Sequence, residues 1–235
     1  MYKNKTFLAI IPARGGSKRL PKKNSLLLNN KPLVAYSIEA GLKSAYIDKV
    51  VVSSDDKVIL EVSQSFGSEI IKRPSHLATD TSSTYSAIEH VVENLDHFDY
   101  IVLLQPTSPL RNEEDIDKAI RLLDEKQADA VVSVCEVEHS PLWANTLDDS
   151  LSMVGFIKDA GLKRSQDLET HYRLNGAIYI INTTKLLENK RIILKENIFA
   201  FKMEREKSID IDGYIDFNIA EMFLKMKRKT NAKPV

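Results

Sequence analysis

Short apolar runs alternate with amphipathic segments along residues 7–137, and this order restricts the chain to few folds. Strand-like runs occupy residues 7–11, 49–53, 69–72, 100–105 and 130–137. Helix-like segments lie between them, at 33–44, 55–66, 83–95 and after Asn112. Such alternation predicts a mostly parallel sheet with helices on both faces, a Rossmann-like three-layer α/β sandwich.

The ends of the predicted helices carry recognisable signals. Pro32 lies where a first helical residue is expected, and Asp55 is predicted to cap the second helix. Asn112 is predicted to cap a helix whose first turn holds the acidic residues 113–115, which a helix N-terminus favours. These signals support the division into strands and helices.

The alternation stops at Glu138, and residues 138–174 form a polar excursion with one apolar patch at 151–157. Loops of this length inside a domain are uncommon and usually functional. Strands are predicted again at 176–181, 198–203 and 208–211, followed by a helix at 214–227 and a basic tail at 227–235. Because no repeat or linker divides the chain, we predict a single domain over residues 1–235 with an irregular arm at about 138–174.

Charge and cysteine content exclude several classes of protein. Lys and Arg number 33, as do Asp and Glu, and this balance argues against a general nucleic-acid binder. The single Cys135 lies in an apolar run and is predicted to be a buried thiol. The apolar residues 7–11, stopped by Pro12, are too short for a signal-peptide core, and no segment is long enough to span a membrane. We therefore expect a cytoplasmic protein that binds neither nucleic acid nor membrane.

The neutral sum hides a strongly basic start. Residues 1–38 contain eight Lys and Arg and no Asp or Glu. The loop after the first predicted strand, residues 13–24, combines Gly15 and Gly16 with five cations and suits a polyphosphate. It is neither a Walker A loop, since Ser17 follows Gly16, nor a G-x-G-x-x-G loop. A flexible, solvated basic loop is the alternative.

Two carboxylates lie two residues apart near the C-terminus. On an extended segment Asp210 and Asp212 point to one face while Ile211 points away. Paired carboxylates suit Mg²⁺, which keeps waters and phosphate oxygens as its other ligands. A solvated strand edge is the alternative for this segment alone. Together with the basic loop, it indicates metal-assisted transfer at a nucleotide phosphate.

Gln105 closes the fourth predicted strand, at the sheet edge where α/β proteins bind ligands. Pro106 and Pro109 stiffen the loop that follows. A proline turn with a capping glutamine is the alternative interpretation. The five histidines show no metal-ligand spacing and no G-x-S-x-G motif is present, so neither a zinc site nor a serine hydrolase is supported.

Motifs spread over nearly the whole chain resemble those of the CMP-nonulosonate synthetases, the acylneuraminate cytidylyltransferase family. They are residues 10–18, 23–24, 51–55, 73–74, 77–78, 80–81, 104–111, 175–179 and 208–212. The resemblance implies a fold of the nucleotide-diphospho-sugar transferase type. It also implies transfer of CMP from CTP to the anomeric 2-hydroxyl of a nine-carbon 2-keto sugar acid, with release of pyrophosphate.

The resemblance assigns roles residue by residue. It implies nucleotide contacts from Ala13, Arg14, Gly15, Gly16, Ser17, Lys23, Asn24, Arg73, Ser82 and Thr84. It implies sugar contacts from Gln105, Arg164, Arg173 and Tyr179. It implies that Asp210 and Asp212 bind Mg²⁺, and that Arg14, Lys23 and Asp212 are catalytic.

The resemblance is weakest in the arm. Sialic acid synthetases tend to have Lys after Pro-Leu, where this chain has Trp143. This difference favours legionaminic or pseudaminic acid over N-acetylneuraminic acid, and Trp143 is either a sugar contact or a dimer contact. In the family the arm mediates a homodimer and helps to complete the partner's site. The alternatives are Kdo activation, which Gly15-Gly16-Ser17-Lys18 disfavours because those relatives usually have Tyr-Ala-Ser-Thr there, and a nucleotide-binding regulator without catalysis.

Overall fold

Strand β1 (Phe7–Pro12) is buried on both of its faces and lies in the middle of the sheet. The protein is described by a computed structural model over residues 1–231, without the side chains at 160, 165 and 227–231. Phe7 and Ile11 contact the core on one face of the sheet, whereas Leu8 and Ile10 contact the core on the other. An apolar run without polar alternation is typical of such a doubly covered parallel strand.

The remaining elements follow in chain order. The other strands are β2 (Leu27–Leu28), β3 (Lys31–Pro32), β4 (Lys49–Ser54), β5 (Glu69–Lys72), β6 (Tyr100–Leu103), β7 (Ala130–Glu136), β8 (Tyr172–Asn182) and β9 (Ile198–Lys202). The helices are α1 (Leu33–Lys43), α2 (Lys57–Ser65), α3 (Thr84–Glu93), α4 (Glu113–Glu125), α5 (Thr183–Asn189) and α6 (Tyr214–Asn231).

Within residues 1–231, seven strands form one sheet in the order β5-β4-β1-β6-β8-β7-β9. Neighbouring strands run parallel except at β8, which is antiparallel to both β6 and β7. Helices α1, α2 and α4 cover one face, and α3 and α5 cover the other. The predicted three-layer α/β sandwich with a mostly parallel sheet is thus confirmed.

A third apolar core lies beside the sheet. Leu20, Leu28 and Leu110 pack there with Ile211 and with Ala220 of α6. This core attaches the segment before α6 to the loop that follows β1. It therefore sets the distance between two parts of the sequence that are far apart in the chain.

Of the three predicted helix starts, one is confirmed and two are displaced. Asn112 caps α4 in a capping box with Asp115, as predicted. The cap of α2 is Asp56 and not Asp55, because the Asp56 carboxylate accepts from the first-turn amides of Val58 and Ile59. Pro32 is the N-cap of α1 and not its first residue. Each of these two predicted helix starts is therefore displaced by one residue.

Two predictions near the C-terminus need larger corrections. Residues 208–211 do not form a strand, and α5 was not foreseen. Helix α6 continues to Asn231 through the first part of the predicted basic tail. Residues 232–235 of that tail lie outside the described residues.

The arm lies between β7 and β8 and contains short 3₁₀ turns at Pro141–Trp143, Asp159–Gly161 and Ser165–Asp167. The Trp143 indole Nε1 donates to the Gly161 carbonyl over 2.7 Å, which connects the first two turns. Apolar side chains on the arm face solvent, among them Val154, which is 94% exposed. Cys135 is buried, as predicted. None of the helices described is both long and apolar enough to cross a membrane.

Candidate active site

A cleft of about 380 Å³ opens at the carboxyl ends of β1 and β6. In the sheet, β4 and β5 lie on one side of β1, and β6 lies on the other side of β1. The direction in which strands are added therefore reverses between β1 and β6. Loops diverge at such a switch point, and α/β proteins bind their ligands there. The cleft is lined by residues from five regions: the β1 loop, Arg73, residues 77–87, the β6 loop and the carboxylates Asp210 and Asp212.

Four cations of the β1 loop are paired with two carboxylates. Arg14 and Lys18 bind opposite oxygens of Asp80, over 3.0 Å and 2.6 Å. Arg19 binds Asp212 over 2.6 Å, and the Lys23 ammonium lies 3.8 Å from the same carboxylate. We name these the four cleft cations, Arg14, Lys18, Arg19 and Lys23. Asp80 and Asp212 neutralise part of the charge that would otherwise attract a polyphosphate.

The glycine loop differs in detail from its prediction. The Gly15 amide donates to the Asp55 carboxylate over 3.0 Å instead of facing the cleft. A Cβ at Gly15 would lie 2.8 Å from the Asp56 Cβ, so this glycine allows the loop to approach the start of α2. Ala13 is fully buried and donates its amide to Ser53. Neither Ala13 nor Gly15 lines the cleft, whereas Gly16 and Ser17 do.

Lys23 and Asn24 fix the far end of the loop. The Lys23 ammonium donates to the Ile211 carbonyl over 2.7 Å. Burial lowers the pKa of Lys23, an effect that Asp212 and Asp210 oppose. Asn24 is 7% exposed, and its amide donates to the Arg14 carbonyl over 2.9 Å. Asn24 thus orients the backbone that carries Arg14.

The other predicted nucleotide residues lie along the same wall of the cleft. Arg73 is buried to 5% exposure and donates to the Ser53 carbonyl, and this burial lowers the pKa of its guanidinium. The Ser82 hydroxyl donates to the His76 carbonyl over 3.0 Å, and Thr84 begins α3. All three side chains line the cleft.

The segment Ser208–Asp212 reaches the cleft without belonging to a sheet. The Ile211 amide donates to the Thr107 carbonyl over 2.8 Å, and its side chain is fully buried in the third core. Asp210 and Asp212, on either side of Ile211, both line the cleft. The predicted alternation of side chains is therefore present, although the predicted strand is not.

Asp210 is open to solvent toward the cleft and surrounded by protein elsewhere. This desolvation raises the pKa of Asp210, the neighbouring Asp212 raises it further, and a hydrogen bond from Thr107 opposes the shift. A divalent cation would relieve both unfavourable effects, so the two carboxylates fit Mg²⁺. No group of three or more acidic, His or Cys side chains suited to a metal occurs among the described residues. Phosphate oxygens and waters would have to complete the shell.

Asp210→Asn is expected to stabilise the metal-free protein at pH 8 by about 1–2 °C in Tm, a small gain because water screens an open carboxylate. A folded-state pKa above 3.8 means that stability falls as pH rises through that pKa. The gain should therefore shrink as the pH is lowered toward 4. Thermal melts in EDTA from pH 4 to 8 test this, with Asp149→Asn on the arm as the charge-matched control. An equal gain in both variants, or no pH dependence, would contradict the explanation.

Gln105 lies at the base of the cleft beside Gly176. The β7–β8 ladder shifts register between Val132 and Val134, and this bulge includes Gly176, whose φ is +73°. A Cβ at Gly176 would lie 2.6 Å from Gln105 Oε1 and 3.6 Å from Asp210 Oδ2. The absence of a side chain at position 176 is what allows Gln105 to lie where it does.

The other predicted sugar residues do not line the cleft of this chain, although the charge of Asp210, which does, acts on Arg173 and Tyr179. Arg173 forms a two-point ion pair with Glu138, over 2.8 Å and 3.2 Å, which raises the pKa of Arg173 and lowers that of Glu138 to about 2. Arg164 lies on the arm and binds Asp167 over 2.9 Å. Tyr179 is 6% exposed within a core, and this burial raises its pKa.

Three residues of this region were not identified from the sequence as functional, namely Asp80, Glu138 and Gly176. Asp80 and Gly176 fall inside motifs that carry the family resemblance, but no local pattern gives their contacts. Each acts on a residue far away in the chain, as Asp80 does on Arg14. Only the folded structure brings these pairs together.

Asp80→Asn is expected to tighten the binding of a nucleoside triphosphate by about 2- to 5-fold at low salt, the range of exposed ion pairs. The Asp80 carboxylate competes with phosphate for Arg14 and Lys18, and these two cations hold the pKa of Asp80 below its usual value. Titration calorimetry without Mg²⁺ measures the effect, which should fade in 0.5 M salt. Asp96→Asn serves as the exposed control. Weaker binding would show that Asp80 assists the nucleotide instead of opposing it.

The switch-point cleft, the cations on the β1 loop and the facing carboxylates define a nucleotide-binding protein of the nucleotidyltransferase class. A family model described as Cytidylyltransferase matches residues 8–230. The chain therefore belongs to the cytidylyltransferase family, and the resemblance found in its motifs is confirmed.

Similar proteins carry related names. An N-acylneuraminate cytidylyltransferase of Escherichia coli is 35% identical over 97% of this chain, which spans about half (54%) of that relative's length. A CMP-N,N'-diacetyllegionaminic acid synthase of Legionella pneumophila is 36% identical over 94% of this chain and 97% of its own length. A pseudaminic acid cytidylyltransferase of Campylobacter jejuni is 33% identical over 95% of this chain and 98% of its own length.

A solved structure supports the fold. A CMP:2-keto-3-deoxy-manno-octonic acid synthetase complexed with CTP superimposes with a TM-score of 0.73 at 17% identity. The match covers 94% of this chain and 99% of that one. At this identity the similarity concerns the fold alone.

Proposed function

We propose that this protein transfers CMP from CTP to the anomeric 2-hydroxyl of a nine-carbon 2-keto sugar acid and releases pyrophosphate. The observation that carries the proposal is a cleft lined by Arg14 and Lys23 together with Asp210, Asp212 and Gln105. A neighbouring pocket lined by Lys18 and Arg19 shares Arg14, Lys23 and Asp212 with this cleft, so all four cleft cations lie around the same carboxylate. The cations suit a triphosphate, and the carboxylates suit its metal ion. The names of the similar proteins support the same reaction.

The nucleotide end of the cleft would bind CTP through side chains already in place. Arg14 and Lys23 neutralise phosphate charge, and Asn24 keeps Arg14 oriented toward the cleft. Arg73, Ser82 and Thr84 form the wall on which the cytidine would rest. Because these groups are held by hydrogen bonds before the nucleotide arrives, little ordering is needed on binding.

Asp210 and Asp212 would hold Mg²⁺. When bound, the metal ion supplies a Lewis acid at the α-phosphate. The carboxylate pair also orients the attacking sugar hydroxyl, a role that fits the exposed Asp212.

The transfer itself needs no covalent enzyme intermediate. The sugar hydroxyl oxygen forms a bond to the α-phosphorus while its O–H bond breaks and the proton passes to solvent. The bond from this phosphorus to the bridging oxygen breaks, and pyrophosphate leaves with that electron pair. Arg14 and Lys23 stabilise the negative charge that accumulates on the departing pyrophosphate. Positioning and electrostatics therefore account for the role of each named side chain.

Sugar recognition would combine Gln105 with arginines. Arg binds carboxylates through two parallel hydrogen bonds, and Arg173 already binds Glu138 in this way. Arg164 lies on the arm, where it would reach the site of a partner subunit in a homodimer. Exposed apolar residues of the arm, such as Val154 and Leu151, support an arm-mediated dimer. Sedimentation equilibrium tests the dimer.

The identity of the sugar is a narrower proposal. Trp143 replaces the Lys that sialic acid synthetases tend to have, and this favours legionaminic or pseudaminic acid, with N-acetylneuraminic acid as the competitor. A cytoplasmic location is proposed as well, since the one cysteine is a buried free thiol.

Pyrophosphate release tests the reaction. The protein is incubated with CTP, Mg²⁺ and, separately, legionaminic, pseudaminic, N-acetylneuraminic and Kdo acids, and the CMP-sugar is identified by mass. Release with a nine-carbon acid supports the proposal. Preference for Kdo supports the alternative substrate, whereas CTP binding without release from any acid supports a nucleotide-binding regulator.

Comparing variants of two neighbouring lysines, Lys23 and Lys22, shows whether the measured activity belongs to this protein and not to a contaminant. Lys23→Met should lower kcat by about 10- to 100-fold, because a cation beside the leaving pyrophosphate is lost. Lys22→Met should leave kcat unchanged, since Lys22 is exposed and does not line the cleft. Equal activity in both variants would contradict the role of Lys23.

A further inference from the structure

Arg111 is a charged side chain that the proposed mechanism does not use. It is 2% exposed and lies directly before the N-cap of α4. Its burial lowers the pKa of the guanidinium to about 10, so the side chain remains charged at neutral pH. Removing a guanidinium from water is costly, and an apolar side chain of similar volume is often neutral or stabilising at such a place. The cost calls for a function other than stability.

The contacts of Arg111 converge on the strand ends at the base of the cleft. Its Nη2 donates to the Ser37 hydroxyl over 2.7 Å and to the Gln105 carbonyl over 3.1 Å. Its Nε donates to the Ala177 carbonyl over 3.4 Å. One guanidinium therefore connects helix α1, the loop that follows β6 and the bulge of β8.

Two of these groups meet at the backbone of Gln105. The Gln105 carbonyl accepts from Arg111 and, over 3.2 Å, from the Ser37 hydroxyl. The Gln105 side chain lies against Gly176, which directly precedes Ala177. Arg111 thus holds both the backbone of Gln105 and the strand against which the Gln105 amide packs.

The bonding of Arg111 is incomplete, and this supports positioning over stability. Its Nη1 is buried and has no hydrogen-bond partner in residues 1–231. A cation retained with an unmet donor favours a specific geometry over the most stable packing. The acidic Asp115 attracts Arg111 at a distance, while the Asp115 carboxylate itself binds Lys207 over 2.8 Å.

We propose that Arg111 is a positioning residue that fixes Gln105 for its contact with the sugar acid. The inference rests on the proposed role of Gln105 in sugar binding. Arg14, Lys23 and Arg73 line the proposed nucleotide end of the cleft. None of the three is a partner of Arg111 in the hydrogen bonds described. Loss of Arg111 should therefore affect the sugar and spare CTP.

The test is the KM of each substrate in Arg111→Met and Arg111→Lys. In Arg111→Met we expect the KM of the sugar acid to rise at least about 10-fold while the KM of CTP changes less than 2-fold. Arg111→Lys should restore part of the loss, because an ammonium can still donate to the Gln105 carbonyl. An unchanged sugar KM in folded Arg111→Met would overturn the proposal. So would an equal rise for both substrates accompanied by a lower Tm.

Two further variants keep the result decisive. If Arg111→Met does not fold, Ser37→Ala removes a donor to the Gln105 carbonyl and a partner of Arg111, and about a 3-fold rise in sugar KM alone is expected. A normal sugar KM in Ser37→Ala would then overturn the proposal. Gln105→Ala separates the proposed role of Arg111 in positioning from the proposed role of Gln105 in sugar binding. A raised sugar KM there with a normal one in Arg111→Met removes only the role of Arg111, whereas a normal KM in Gln105→Ala removes the role of Gln105 and the inference with it.

Discussion

Asp212→Ala should lower kcat by about 10³-fold, the size of effect seen when a group that stabilises transition-state charge is removed. The variant should still bind CTP, because the loss frees Arg19 and Lys23 from a carboxylate that lies 2.6 Å and 3.8 Å from them. Single-turnover kinetics and titration calorimetry with CTP measure the two quantities separately. A large loss in kcat with CTP affinity changed less than about 3-fold identifies a group needed for transfer and not for binding.

Arg19→Ala is the matched control for this experiment. It breaks the same ion pair but leaves the Asp212 carboxylate in place, and Arg19 is 73% exposed. Because Arg19 is one of the cations proposed to receive the triphosphate, its loss should weaken CTP binding, whereas kcat should stay within about 3-fold of the parent since the Asp212 carboxylate remains. Asp212→Ala activity above a tenth of the parent would remove Asp212 from the catalytic residues.

Gly176→Ala should lower kcat/KM for the sugar acid by at least about 100-fold, because the new methyl group would occupy the space of the Gln105 amide. The substitution also forces alanine to a φ of +73°, at a cost of about 1–2 kcal/mol in the free energy of unfolding. CTP binding should persist, since the glycine lies at the sugar end of the cleft. Steady-state kinetics in both substrates, with urea unfolding, measures the effects.

Gly67→Ala separates backbone strain from displacement of Gln105. Gly67 follows α2 with a φ of +89°, and the atom nearest to a Cβ there is Leu42 Cδ1 at 3.5 Å, an ordinary contact. This control should lose a similar amount of stability and no activity. If Gly176→Ala and Gly67→Ala lose stability equally and both remain active, the close approach to Gln105 is unimportant.

The sequence predicted those parts of the fold that depend on near neighbours. The capping box at Asn112 and Asp115 is formed within three residues, so its signal is local. The alternation around Ile211 predicted which side chains face the cleft. It did not predict that the segment lacks a sheet partner, because its anchors, the Thr107 carbonyl and the Lys23 ammonium, come from distant parts of the chain.

The candidate site was predictable as residue types and much less as contacts. Charge and spacing indicated a phosphate loop and a metal pair, the end of the fourth predicted strand indicated Gln105, and the family resemblance supplied Arg73. Neither source predicted that Asp80 binds Arg14 and Lys18, or that Gly15 donates to Asp55. Both contacts result from packing around the cleft.

Asp80 and Asp212 are built-in counter-ions for the cations of the β1 loop, as in an anion exchanger that is already loaded with carboxylate. Their carboxylates bind the same cations that would receive the triphosphate, so an incoming anion would have to displace them, and they would return when it departs. Product release limits many enzymes, and tightly bound pyrophosphate would be slow to leave a bare cluster of arginine and lysine. By returning to their partners, the two carboxylates would help pyrophosphate to leave and would prepare the cations for the next nucleotide.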